Sequence, residues 1–240
     1  MLMKVMNTIK DERPGFFSLV RAKSNLLILI VAALILARLP YIGHLLDWQM
    51  TFFHEISHGL AALLTGGDIV RIELHFSGSG LCRYCGGLSW LVFLAGYAGA
   101  SLWGLFIYLL AEAVPQRFSH FWAGLLAALL GVSGALYARD AQSWLILLVL
   151  ALFYALAVWF RDRLPLKVLL KIAGLALILN ALEAPLALFG LQGRGDAAEL
   201  AALTGIPALF WIIIWLATAC GCLIFLWKIE RKPAAPLKTG

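Results

Sequence analysis

The chain has 240 residues, 62% of them hydrophobic and 13% charged, with a mean hydropathy of +0.91. A soluble domain of this size needs a polar exterior, so the balance excludes an ordinary soluble fold and predicts an all-α integral membrane protein. The formal charge of +6 comes mainly from the two ends, which suits anionic lipid headgroups of a bilayer; no basic stripe interleaved with aromatics speaks for nucleic acid.

Lys4, Lys10, Arg13, Arg21 and Lys23 lie in a basic segment, 1–23, whose seven charges and Pro14-Gly15 break do not suit a cleavable signal sequence. A membrane-embedded domain is expected over 24–229 and a basic tail, with Arg231, Lys232 and Lys238, over 230–240. The first apolar run is 25–39, closed by Pro40. A second helix is expected over about 48–65 and ends at Thr65-Gly66-Gly67, a helix stop.

At 69–76 the period changes to two: Val70, Ile72, Leu74 and Phe76 alternate with Arg71, Glu73 and His75. Gly78-Ser79-Gly80 is a turn, a short second strand follows over 81–84, and Gly86-Gly87 closes a membrane-associated β-ribbon. Long apolar runs at 88–112, 119–137, 143–160, 166–190 and 206–228 bring the total to about six to seven spans. Seven would put the two basic termini on opposite sides, whereas the positive-inside rule prefers both inside, so topology stays open.

His54-Glu55-Ile56-Ser57-His58 is an H-E-x-x-H sequence inside the second helix. Residues four apart share a helix face, so two imidazoles can grip one Zn2+ from the same side. Glu55, one position on, stands near the metal without being needed as a ligand. There it can act as general base on the attacking water and pass the proton to a leaving amine. Ionisable side chains in a membrane helix cost about 2.5–3.5 kcal/mol each on insertion scales, so they mark function. The alternative is a histidine pair bonded to neighbouring helices.

Zinc needs a third protein ligand. The soluble-protease extension of the motif fails, since Ala61 and Leu64 stand where its Gly and third His belong. Of the thirteen acids, Glu55 belongs to the motif, Glu73 lies in the ribbon and those in tails and turns drop out, which leaves Asp47, Glu112, Glu183, Asp196 and Glu199. Asp196 is the first choice, because it follows Gly195 at the start of a short helix, where the dipole favours a carboxylate; the same position also suits a plain N-cap. Glu183, inside an apolar run, is its rival. Asn180, nearly one turn before it, could bond a substrate carbonyl or join helices. Cys82 and Cys85 form a C-x-x-C in an expected loop, and no second ligand pair stands nearby to close a zinc site.

With HEISHGLAALLTGG at 54–67, the ribbon after it, AGYAG at 95–99 and GDAAELAALTGIP at 195–207, the chain resembles the compact branch of the site-2 protease family of intramembrane zinc metalloproteases. The resemblance implies hydrolysis of a peptide bond in or near a transmembrane segment of a membrane-anchored substrate. It also implies a distant aspartate completing the zinc site and a ribbon that holds an unwound substrate as an added strand. The family's aspartate is followed by glycine; here Asp196 is followed by Ala197. A cell membrane, plasma or inner, is the expected location. Two other classes are weighed: a non-catalytic protease-like regulator or scaffold, and a metal transporter. Against the transporter, the runs 119–137, 143–160 and 206–228 offer only His120 and no acids.

Overall fold

The computed structural model describes residues 16–188 and 195–230. Most of the expected basic N-terminal segment, all but the first residue of the C-terminal tail, and 189–194 lie outside these residues.

Among the described residues the chain is almost entirely helical. In order come α1 (Phe16–Leu36), α2 (Ile42–Leu64), β1 (Asp68–Leu74), β2 (Gly80–Cys85), α3 (Ser89–Ala113), α4 (Ser119–Tyr137), α5 (Ala141–Trp159), α6 (Leu166–Ala187), the short α7 (Asp196–Thr204) and α8 (Ala208–Ile229). Five of them, α3, α4, α5, α6 and α8, are long and apolar enough to cross a membrane. The apolar part of α1, Asn25–Leu36, and the motif helix α2 make up the seven read from the sequence. Two boundaries differ from expectation: α1 starts at Phe16, inside the basic segment, and α2 starts six residues earlier than the apolar run suggests. A helix propagates through any adequate helix former once nucleated, so the apolar stretch understates its length.

The ribbon forms where period two predicts it, as an antiparallel pair of β1 and β2. Its phase is the expected one from Ile72 on and the opposite before it. The register shifts between Ile69 and Arg71, so Ile69 turns inward with Ile72 and Leu74 while Val70 is exposed; Phe76, also exposed, lies beyond the end of β1. A bulge adds one residue to one strand and flips the faces before it relative to those after it. The expected second strand over 81–84 forms as β2 and reaches Cys85, so the C-x-x-C stands in a strand and not in a loop: Cys82 and Cys85 are three residues apart and hence on opposite faces, Cys82 buried and Cys85 exposed, both as free thiols.

The ribbon is pinned lengthwise against α2. Thr51 donates to the Gly78 carbonyl at 2.5 Å and Trp48 to that of Phe76 at 3.3 Å. On its other flank the Leu74 N–H donates to Ser143 Oγ at 2.8 Å. Ser143 is itself held at the start of α5 by the N-cap Asp140, which accepts its N–H at 2.8 Å and its hydroxyl at 2.6 Å. Burial pushes the Asp140 carboxyl up, but the hydroxyl and N–H of Ser143, with smaller contributions beside them, together outweigh it and lower the group.

Inside the bundle, Phe52, Phe53 and Ile56 of α2 pack with Ile72 and Leu74 of the ribbon and Ile146, Leu150 and Tyr154 of α5 in one core. Helices α3 and α6 cross at Gly104 and Gly174. A Cβ on either would lie 2.5–2.6 Å from the other's carbonyl oxygen, so the backbones touch there. Lys171 of α6 then sits between Glu112 of α3 and Glu230 at the end of α8, and Tyr108 of α3 donates to Glu230 at 2.7 Å. Glu230, assigned to the tail by sequence, is therefore part of an interhelical clamp that ties α8 to α3 and α6.

Candidate metal centre

Helix α2 presents His54 and His58 on one face, with Nε2 atoms 3.0 Å apart. The helix that faces them, α3, has only a glycine, Gly96, where both rings come closest. A Cβ on Gly96 would lie 2.6 Å from Cε1 of both rings and from Nε2 of His58. Gly99 makes the same kind of room for Ser57 one turn on. The AGYAG stretch is thus the surface that admits two imidazoles between closely packed helices.

The rings are oriented from behind. His58 donates Nδ1–H to the Val92 carbonyl at 2.7 Å, and a carbonyl can only accept, so this proton's place is set. In the neutral ring Nε2 then carries a lone pair directed away from Val92. The His54 ring meets Tyr97 edge to face, with centroids 4.4 Å apart, and Tyr97 leans in turn on Trp215 of α8 at 4.9 Å. Trp215 is fixed by its Nε1–H to the Leu94 carbonyl at 2.9 Å.

Asp196 arrives from the far end of the chain. Gly195 precedes it with φ 87, a left-handed backbone that favours glycine, and turns the chain into α7. Ala197 and Leu200 bury the inner side of α7 against Trp211, Ile212 and Trp215 of α8. This seats Asp196 Oδ2 3.2 Å from His54 Nε2 and 3.3 Å from His58 Nε2. Of the acids left open by sequence, the structure brings Asp196 to the imidazoles and takes the others elsewhere. Glu183 is exposed and bound by Arg38 at 3.0 Å. Glu112 pairs with Lys171, and Glu199 lies on α7 one turn after Asp196. Asp47 lines the same cavity farther out.

The donor set fits a divalent cation. One atom from each of His54, His58 and Asp196 lies within 4.8 Å of the others. Asp196 Oδ2 is buried and has no hydrogen-bond partner among the described residues. Acceptor atoms stay together only with positive charge among them, as protons on the imidazoles or as a metal ion. Burial alone pushes the Asp196 carboxyl up, but positive charge on His58 and His54 beside it more than offsets that and holds the group well below the usual carboxylate range. The ionised carboxylate is the form that ligates a metal.

Glu55 is buried beside the cluster, on the ribbon side of α2. Gly80 of β2 makes its space: a Cβ there would lie 2.8 Å from Glu55 Cγ and 3.0 Å from Oε1. All four residues open on one cavity of about 580 Å³, lined also by Cys82, Tyr84, Phe93, Tyr97 and Asn180. Cys82 is not among the converging donor atoms. Burial, and then the Glu55 carboxylate, push its thiol up to about 12. Tyr97 was not singled out by sequence; its signal was only a polar ring in a glycine-rich span.

A family model described as Peptidase M50B-like matches residues 27–226. No curated protein and no solved structure matches the chain.

Proposed function

The chain belongs to the Peptidase M50B-like family, and on that premise we propose that it is an intramembrane zinc metalloprotease. It would hydrolyse a peptide bond in or near a transmembrane segment of a membrane-anchored substrate. The observation that carries the reading is the orphaned, buried Asp196 Oδ2 facing two imidazole nitrogens at the floor of a cavity. His54, His58 and Asp196 would hold the metal, which leaves a fourth position open as catalytic zinc sites do. Bound there, zinc supplies Lewis acidity and makes water a nucleophile at neutral pH.

The remaining steps belong to the chain. Glu55 takes the proton from the attacking water and delivers it to the departing amine. The surrounding helices keep bulk water away from the two carboxylates and strengthen every charge interaction between them. Val92 holds His58 in its ligating tautomer, and Tyr97 holds the plane of the His54 ring. A helical substrate has its carbonyls already bonded, so it must unwind before it fits this floor, and the ribbon wall is the element with backbone groups to receive it.

Metal removal tests the proposal. Treating the detergent-purified protein with 1,10-phenanthroline should abolish cleavage of a transmembrane peptide, and about one equivalent of zinc should restore it where magnesium does not. Cleavage that survives complete removal of metal would sink it.

A further inference from the structure

The cavity has two unlike ends. At its floor stand the histidines, Glu55 and Asp196 with the rings of Phe93, Tyr84 and Tyr97. At its other end the lining is polar: Asp47 and Thr51 from α2, and Ser77, Gly78 and Ser79 from the ribbon tip. Asp47 is half-buried against this tip, and a Cβ on Gly78 would lie 3.6 Å from its Cβ. Its carboxylate has no hydrogen-bond or ion-pair partner among the described residues.

The positive groups near it act only at a distance: His44, three positions earlier on α2, makes no ion pair with it, and Arg38 is bound by Glu183. Glu183 adds a second negative charge on the same side. A half-buried carboxylate with no ion-pair partner at the edge of a cavity is free to meet a charge on whatever enters. This one faces the space where a substrate must lie.

We propose that Asp47 is a specificity-determining residue that selects substrates carrying a lysine or arginine three or four residues from the cleaved bond, on the side toward the ribbon tip. The inference rests on the protease reading above. Asp47 and Glu55 are eight positions apart on one helix, about 12 Å along its axis at 1.5 Å per residue. An extended chain advances about 3.3 Å per residue, so three to four residues cover that distance. A long basic side chain placed there can lay its stem along the apolar wall and put its charge against Asp47. An acidic one meets Asp47 with Glu183 behind it and is refused.

The test is a set of otherwise identical fluorogenic transmembrane peptides. A single Lys, Gln or Glu is walked through four positions on each side of the bond that mass spectrometry shows to be cut. The wild-type protein should cut the peptide with Lys at the third or fourth position on one side about fivefold faster in kcat/KM than the Gln peptide, the size of a partly exposed ion pair. Asp47→Asn should level Lys and Gln at that position, and Asp47→Lys should reverse the order in favour of Glu. Zinc content equal to wild type in both variants shows that the floor of the site is intact. A wild-type walk indifferent to charge, or an Asp47→Lys protein that keeps the Lys preference, would overturn the inference and leave the protease reading standing. A zinc-loaded wild-type protein that cuts none of the peptides would overturn that reading and the inference with it.

Discussion

Glu55→Gln should lower peptide cleavage about a thousandfold without loss of zinc, the result expected if Glu55 is the general base. The amide has the same shape as the carboxylate, so it fits the space that Gly80 leaves beside it and disturbs neither His54 nor His58. What disappears is the proton acceptor. Because Glu55 is not among the converging ligand atoms, metal content and cleavage separate in this variant. Parallel measurement of zinc per chain and of peptide turnover checks the result. Turnover at the wild-type rate would show that another group takes the proton.

Gly96→Ala is expected to empty the site from the opposite side. A single methyl at this position falls 2.6 Å from Cε1 of both imidazoles and from the His58 nitrogen that faces Asp196. Either the rings turn away or α3 moves off α2. Moving α3 also pulls Val92 away from His58 Nδ1 and Tyr97 away from the His54 ring. Overpacking of this kind costs about 1–3 kcal/mol of stability, which a bundle of this size withstands. Metal content should fall below a tenth of wild type while the variant still elutes as a folded species in detergent. Gly124→Ala, with nothing within 4 Å of the added methyl, should bind zinc as the wild type does and serves as the control. A Gly96→Ala protein with full zinc would mean that the imidazoles have more room than the helix contact allows.

What was legible in the sequence followed from local period. His54 and His58 meet because four residues close a helical turn, and the ribbon forms because residues 69–76 alternate. The bulge at Ile69–Arg71 was not legible, since one inserted residue leaves the letters alternating while their faces exchange. Cys85 fell outside the expected second strand because the short β2 carries little period of its own. The third ligand is a matter of tertiary structure. Gly195 marks a turn into α7, but that α7 reaches the histidines depends on Ala197 and Leu200 packing against Trp211 and Trp215. Elimination could narrow the acids, but it could not see that Arg38 takes Glu183. Gly96 and Tyr97 were visible only as a glycine-rich stretch, because a contact that works by an absent side chain has no residue to point to.

The direct test of the account is zinc per chain in the detergent-purified protein, by mass spectrometry of the metal, for wild type, Asp196→Ala and Glu183→Ala. About one zinc in wild type and in Glu183→Ala, with a loss of most of it in Asp196→Ala, is the predicted result, because one of three ligands is gone. Full zinc in Asp196→Ala, or no zinc in wild type after reconstitution, would contradict it and leave His54, His58 and Asp196 as a structural cluster.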